Sequence, residues 1–555
     1  MPLTQNFKVL LKKNMYSYVY VLIAACLAYF MYSMNQYAPV QRDGSHFLFM
    51  ANNIAHGQNP YWASFETKNP LVEYYWSLFF RAFEGKAHIV ILARIAETFY
   101  MFLTSIVVFF MSVKLLKKQV TLSGENSNNS ALNISLLAGA IASLSLFLLT
   151  SWKVTDTGFN IAAYQTLIEA LVILSALALF KQPSIIKALI LGILVFCAWF
   201  IKQTAVISLA LPLLVILFFY PNKLAILKYV GIAIITSIVL LALFFLSLYL
   251  QDTLANYRRS TFHFKSLIFS MSNSDFALQR FLGAFNNAFT LYEPQKRFSS
   301  YLILSVFTLP LIILVDVFLT KKAGEITEGD RLRWVIYAWF LGSMIQAFMG
   351  LTFYPHYFLS SIVPALLSLF LFLSARNIKP IITGGLITIT LLLYLDYRDE
   401  DKALMAMSEA APINSTINVL SRIIPKDATV FNWGALSHFH VNYAKPSDYE
   451  QNMILPYVLM DVSEDKRRLM FEKTFKDSKP DYVIEFKETL PLFTPLRTFP
   501  ISVKHLKEWT GEDYRVLANY TPPPGRYGLP IYIYVKAELY EKAIAAAQAL
   551  NKKKQ

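Results

Sequence analysis

Residues 229–250 read YVGIAIITSIVLLALFFLSLYL, an apolar run without a charged side chain from end to end. About 20 such residues cross the hydrocarbon core of a bilayer as a helix, which satisfies every backbone polar group where there is no water. The run therefore reads as a transmembrane span, and similar runs extend outward from it. Towards the N-terminus they occupy 203–220, 185–201, 161–180, 131–150, 93–113 and 16–34; towards the C-terminus, 299–320, 334–352, 358–375 and 380–396. The first of them follows Lys8, Lys12 and Lys13, as a signal peptide would. It is longer than a signal core and no small-x-small cleavage site follows closely, so it reads as a retained span.

Composition agrees. Of 555 residues, 55% are apolar and 16% charged, with a mean hydropathy of +0.43. No single water-soluble core hides that many apolar runs. The expected fold class is an α-helical polytopic membrane protein with about 11 transmembrane helices in residues 1–396, amphipathic helices in its outer loops, and a C-terminal extracytoplasmic α/β domain in 397–555. Cys26 and Cys197 both lie in apolar runs, so no disulfide framework is implied.

The net charge of +15 invites a nucleic-acid reading, but its placement argues against one. Lys114, Lys117 and Lys118 follow one span; Lys181 and Lys187, Lys223 and Lys228, Lys321, Lys322, Arg331 and Arg333, and Arg376 and Lys379 occupy every alternate connection after it. Basic residues collect in cytoplasmic loops, which puts the N-terminus inside. Residues 35–92, 151–160, 251–298, 353–357 and everything after about 397 then face outward.

The first outer loop holds two helical patterns. Phe47, Met50, Ala51, Ile54 and Ala55 recur at helical spacing before Gly57. From Pro70, Leu71, Tyr74, Tyr75, Leu78, Phe79, Ala82 and Phe83 do the same before Gly85. Both read as amphipathic helices along the membrane surface, with aromatic faces and polar backs. A third such segment is expected in 251–298. Beyond 397, Thr429–Trp433, Tyr482–Phe486 and Leu529–Val535 read as strands, with a charged helix from Glu464 to about Asp477.

Ionisable groups gather at the outer ends of the spans: Asp43, Glu66, Lys68, Asp156, Lys202, Arg258, Arg259 and His356. Each has a structural reading. Asp43 suits a helix cap, Lys202 a snorkelling position between joined spans, Asp156 a solvated turn and His356 an interfacial loop. Together they bring carboxylates and cations from four connections to one face.

Asp43-Gly-Ser-His-Phe, Asn53-Ile-Ala-His-Gly-Gln-Asn-Pro-Tyr61 and Thr67-Lys-Asn-Pro-Leu71 resemble the first outer loop of GT-C glycosyltransferases. The branch most similar contains bacterial protein O-mannosyltransferases and lipid A aminoarabinose transferases. Asp156, Lys202, Tyr354-Pro-His-Tyr-Phe358 and the outer α/β domain extend the resemblance in order and sidedness. The sequence departs from the pattern at Asp-Gly-Ser-His, where His46 takes the place of an Arg, and at Asn69, which replaces the first Pro of a Lys-Pro-Pro-Leu motif.

The resemblance implies a multi-pass protein of the bacterial inner membrane that moves a sugar from a polyprenyl-phosphate carrier to an envelope lipid, glycan or protein on the periplasmic or exterior side. Under it, Asp43 is the base that takes the acceptor's proton. Lys68, Lys202 and one of Arg258 and Arg259 stabilise the departing lipid phosphate. Asp156 orients the acceptor or a cation. Glu66 and His356 are weak candidates for binding a divalent metal, being two ligands without a third; no other cofactor is implied. No glycine-rich phosphate loop is present, which suits a membrane-borne donor.

Three other readings compete. Glu169, inside a span, is the feature that points to a transporter or lipid flippase. A polysaccharide polymerase or ligase would share the spans and outer basic residues without the first-loop pattern. A structural or binding protein gives no reason for Asp43, Lys68, Asp156 and Lys202 to share a face.

Overall fold

The computed structural model describes residues 3–35, 42–57, 59, 61, 69–84, 89–120, 127–151, 161–219, 223–258, 261, 308–322, 326–349, 355–375, 424–425, 428–433, 445–446, 475–476, 479–486, 502–520 and 531–552. Its first part is helical: α1 (Leu3–Asn35), α2 (Arg42–Ala55), α3 (Leu71–Ala82), α4 (Ile89–Val120), α5 (Ser127–Ser151), α6 (Ile161–Lys181), α7 (Ile185–Ile201), α8 (Ala205–Phe219), α9 (Lys223–Leu250), α10 (Leu254–Arg258), α11 (Leu309–Lys322), α12 (Glu328–Phe348) and α13 (Leu359–Ala375).

Four stretches in these helices are long and apolar enough to cross a membrane: Met15–Ser33, Ile91–Lys117, Ala163–Lys181 and Ile226–Leu250. That falls short of the expected count of eleven, for physical reasons. The apolar stretches Leu132–Leu146, Ile185–Ile201, Ala205–Phe219 and Leu359–Ala375 are shorter, the first of them lying within the 25-residue α5. Pro212 and Pro364 also interrupt the backbone ladders of α8 and α13. The first turns of α12 hold Glu328, Asp330, Arg331 and Arg333. The expected span at 380–396 and the segment 299–307 lie outside the described residues.

Close backbone approach organises the bundle. At Gly342 in α12 a Cβ would collide with the Ser208 carbonyl of α8. At Gly192 in α7 it would meet Thr236 Cβ of α9 at 2.7 Å. Ser237 Oγ also donates to the Gly192 carbonyl at 2.8 Å. Small residues at such crossings let membrane helices gain van der Waals contact where lipid offers no hydrophobic drive. α1 is fixed to α4 by Tyr20, whose ring stacks on Phe109 at 4.2 Å. α11 and α12 share a buried ion pair: Arg333 Nε donates to Asp316 Oδ2 at 2.6 Å, and the same oxygen accepts from Tyr337 at 3.0 Å. Arg333 also pairs with Asp330 at 2.8 Å, which caps α12 with Thr327.

The two segments expected to be helical between the first two spans are helices, with one difference in the face that α3 buries. α2 buries Phe47, Leu48, Met50, Ala51 and Ile54, and Gly57 stops it at a φ of +85°, where a side chain would be strained. Arg81 of α3 donates to the carbonyls of Ile54 and Ala55 at its end. In α3 the expected polar back faces inward. Glu73 and Ser77 are buried with Val72, Trp76 and Phe80, whereas Tyr74, Leu78 and Phe83 are exposed. The reason is Trp76, whose Nε1 donates to Tyr164 of α6 at 2.8 Å and draws that face onto the bundle.

The C-terminal part forms a five-stranded sheet in the order β2-β1-β3-β5-β4, from β1 (Thr429–Trp433), β2 (Lys445–Pro446), β3 (Tyr482–Phe486), β4 (Tyr514–Tyr520) and β5 (Ile531–Lys536). β1 pairs in parallel with β2 and β3, and β5 runs antiparallel to β3 and β4. α14 (Val503–Thr510) and α15 (Tyr540–Lys552) accompany it. The expected helix from Glu464 lies outside the described residues except at Phe475 and Lys476, which are helical.

Asp481 fastens the start of β3 by accepting from the Thr429 amide and hydroxyl and from Lys536 Nζ, each at 2.9 Å. Burial raises its carboxyl, but these bonds outweigh burial and hold it below the usual carboxylate range. A lowered folded value gives stability that is complete above the unfolded value of about 3.9 and lost as pH falls through the folded one. Hydrogen-exchange protection of β1 and β3 in the solubilised full chain, corrected for intrinsic rate, should fall across that window. Asp481→Asn should start lower and flatten the response; an unchanged pH response in that variant would remove Asp481 from the account.

Candidate functional site

The C-terminal end of α7, the turn after it and the segment after α9 meet the residues before α3 around one buried side chain, Asn69, which is 0% exposed. Its Nδ2 donates to the Trp199 carbonyl at 2.8 Å. That carbonyl belongs to the last turn of α7, where helix oxygens lack intrahelical partners. Its Oδ1 accepts from Tyr257 of α10 at 3.1 Å and from Gln203 at 3.4 Å. One amide thus links the loop before α3, the end of α7 and the segment after α9.

α7 ends here because Lys202 leaves helical geometry, with φ −152° and ψ 119°. α8 starts at once, Ala205 N–H donating back to the Lys202 carbonyl at 2.8 Å. The tight turn 202–204 leaves Lys202 half-buried, its Nζ 4.9 Å from the ring centroid of Tyr357. Tyr357 lies in a short 3-10 helix, Pro355–Phe358, that leads into α13. A cation over a tyrosine face is held by the ring's quadrupole.

The Asn59-Pro-Tyr61 turn docks beside this. Tyr61 N–H donates to Asn59 Oδ1 at 2.8 Å, and the Asn59 amide donates to Gln251 at the end of α9. Tyr61 meets Tyr257 edge to face at 4.9 Å, and both rings are buried. Phe244 and Phe245 of α9 pack on Tyr257 at 5.5 and 5.7 Å. Arg258 follows Tyr257 and is exposed. The described site is thus an aromatic frame with Lys202 set over Tyr357, and Arg258 is exposed at the end of α10.

Of the residues read from sequence, Lys202 and Arg258 are placed with side chains. Asp43 and His46 lie in α2 and His356 in the 3-10 helix, with their side chains outside the described residues. Asp43 falls in the first turn of a helix that begins at Arg42, inside the helix rather than ahead of it. Glu66, Lys68, Asp156 and Arg259 lie outside the described residues, although Lys68 directly precedes the anchored Asn69. Among the described residues no three His, Cys, Asp or Glu side chains gather to hold a metal. Asn69, Gln203, Tyr257 and Tyr357 were not singled out from sequence. The one available signal was Asn69 standing where the resembling family has Pro, a residue with no amide to make these bonds.

Compared with known protein families and with curated proteins, the chain matches none.

Proposed function

We propose that this protein is a GT-C-like glycosyltransferase that moves a sugar from a polyprenyl-phosphate carrier to a lipid, glycan or protein acceptor on the outer face of a bacterial inner membrane. The observation that carries the reading is the clasp at Asn69. It joins the segment before α3 to the end of α7, to Gln203 of the turn bearing Lys202 and to Tyr257 of α10, and Lys202 in that turn meets Tyr357. Lys202, Arg258 and Lys68 supply charge to the departing phosphate in a partly dehydrated setting. Asp43 takes the acceptor proton, and Asp156 orients the acceptor.

The reading includes a topology of eleven crossings in which the shorter apolar helices complete the count, with the N-terminus inside and the C-terminal sheet outside. A reporter fused after residue 555 should be active only if it is a type that works outside the cytoplasm. Strong activity of a cytoplasmic-type reporter there would overturn the topology.

The activity is tested by mass spectrometry of envelope lipids, glycans and proteins from a strain lacking the gene. One sugar modification should be missing and should return with the wild-type chain. Lys202→Ala should restore about 10²-fold less, the usual cost of losing one donor to a developing anion, at equal protein level. A deletion strain with an unchanged profile would sink the reading.

A further inference from the structure

Glu169 is a carboxylate at 0% exposure in the middle of α6, eight residues beyond Ile161 and so roughly 12 Å along the helix axis. Its partners come from three helices and are all neutral. Trp339 Nε1 of α12 donates to Oε2 at 2.7 Å. Ser208 of α8 and Gln165 of α6 both donate to Oε1. These hydrogen-bond donors, from α6, α8 and α12, are neutral, and the Lys202 charge also acts on Glu169 across the space between them.

The network continues in one direction. Gln165 and Gln346 exchange two amide bonds, 2.6 Å from Gln165 Nε2 and 2.9 Å from Gln346 Nε2. Gln346 Nε2 has a second hydrogen, and it reaches Thr204 Oγ1 at 3.2 Å. Thr204 belongs to the 202–204 turn, two residues after Lys202. Each amide nitrogen carries two hydrogens and each carboxylate oxygen only accepts. Glu169 at one end thus fixes which way both amides face, and the relay delivers a hydrogen to the turn at the other end.

A purely structural role does not account for the carboxylate. Burying one in a membrane interior is costly, and α8 and α12 already meet at Gly342 and Ser208 without it. We infer that Glu169 is a positioning residue: through Gln165, Gln346 and Thr204 it holds the 202–204 turn so that Lys202 stays in register with the phosphate it binds. This rests on the glycosyltransferase reading for the phosphate and on geometry alone for the turn.

Two measurements on the full chain in lipid nanodiscs separate these. Farnesyl phosphate, a short polyprenyl phosphate, is titrated onto wild type, Lys202→Ala, Glu169→Leu, Glu169→Gln and the Glu169→Leu/Lys202→Ala double variant. Lys202→Ala should weaken binding about tenfold. Glu169→Leu should weaken it several-fold in the wild-type background and by less than about twofold when Lys202 is already Ala, the limit set by additivity for independent sites. Glu169→Gln, which keeps size and one acceptor, should lie between and covers the case in which the Leu variant does not fold.

The second measurement needs no ligand. The rate at which an amine-reactive reagent modifies Lys202, read by mass spectrometry, should rise several-fold in either Glu169 variant, with Lys504 as the exposed internal control. Equal weakening by Glu169→Leu in both backgrounds, or an unchanged Lys202 reaction rate, would overturn the positioning role. Loss of farnesyl phosphate binding by wild type, with the Lys202 rate still sensitive to Glu169, would instead overturn the phosphate site and leave the positioning role standing.

Discussion

Under the proposed glycosyltransferase reading, Asp43→Asn is expected to leave the protein folded and to remove most of the sugar transfer, by about 10²- to 10⁴-fold, the range for losing a positioned general base. The structure sharpens this test. α2 starts at Arg42, so Asp43 sits in the first turn, where a carboxylate stabilises a helix by about 0.3–1 kcal/mol against the positive end of its dipole. An amide of the same size forgoes no more than that, but it cannot take a proton at neutral pH. Thermal stability in detergent should therefore move little while glycan restoration in the deletion strain collapses. Asp513→Asn, at an exposed C-terminal ion pair with Lys507, serves as the control that changes neither. Near wild-type transfer by Asp43→Asn would pass the base role to Asp156 or Glu66.

Arg333→Met is expected to be the most destabilising single change, at about 3–5 kcal/mol, because it strands a buried carboxylate. Asp316 is 0% exposed, and the change removes its buried ionic partner while the Tyr337 hydroxyl still donates to it. The reverse change is milder, since Arg333 without Asp316 still meets Asp330 and Thr320. Adding Asp316→Leu to Arg333→Met removes both charges and should recover most of the loss, as replacing a whole buried pair by apolar groups often does. Fluorescence-detected size exclusion after heating reads all three variants. A double variant no better than Arg333→Met would show that shape, rather than stranded charge, sets the cost.

Much of the fold was legible because membrane crossing and strand burial leave local marks. The run 229–250 coincides with the body of α9, and Thr429–Trp433 and Tyr482–Phe486 are strands with the bounds read from sequence. β4 was missed because its alternation breaks at the register shift between Val516 and Ala518, and β2 is two residues long. The inward face of α3 was misread because Glu73 and Ser77 look like a solvent side until Trp76 finds Tyr164, 88 residues away. The site divides in the same way. Lys202 could be read as a charge at the end of an apolar run. Asn69 could not, since its partners lie 130, 134 and 188 residues away and only the folded chain brings them together.

α9 has one more consequence for that site. Only 6% of its membrane-length window is buried in protein, and its main neighbour is α7, met along the seam through Gly192, Thr236 and Ser237. Among the described residues α9 is held along one edge, and a helix so held has one soft coordinate, rotation about that edge. Phe244 and Phe245 lie near the C-terminal end of α9 and pack on Tyr257, which holds Asn69. Rotation of α9 is therefore expected to be felt at Asn69 through Phe244, Phe245 and Tyr257.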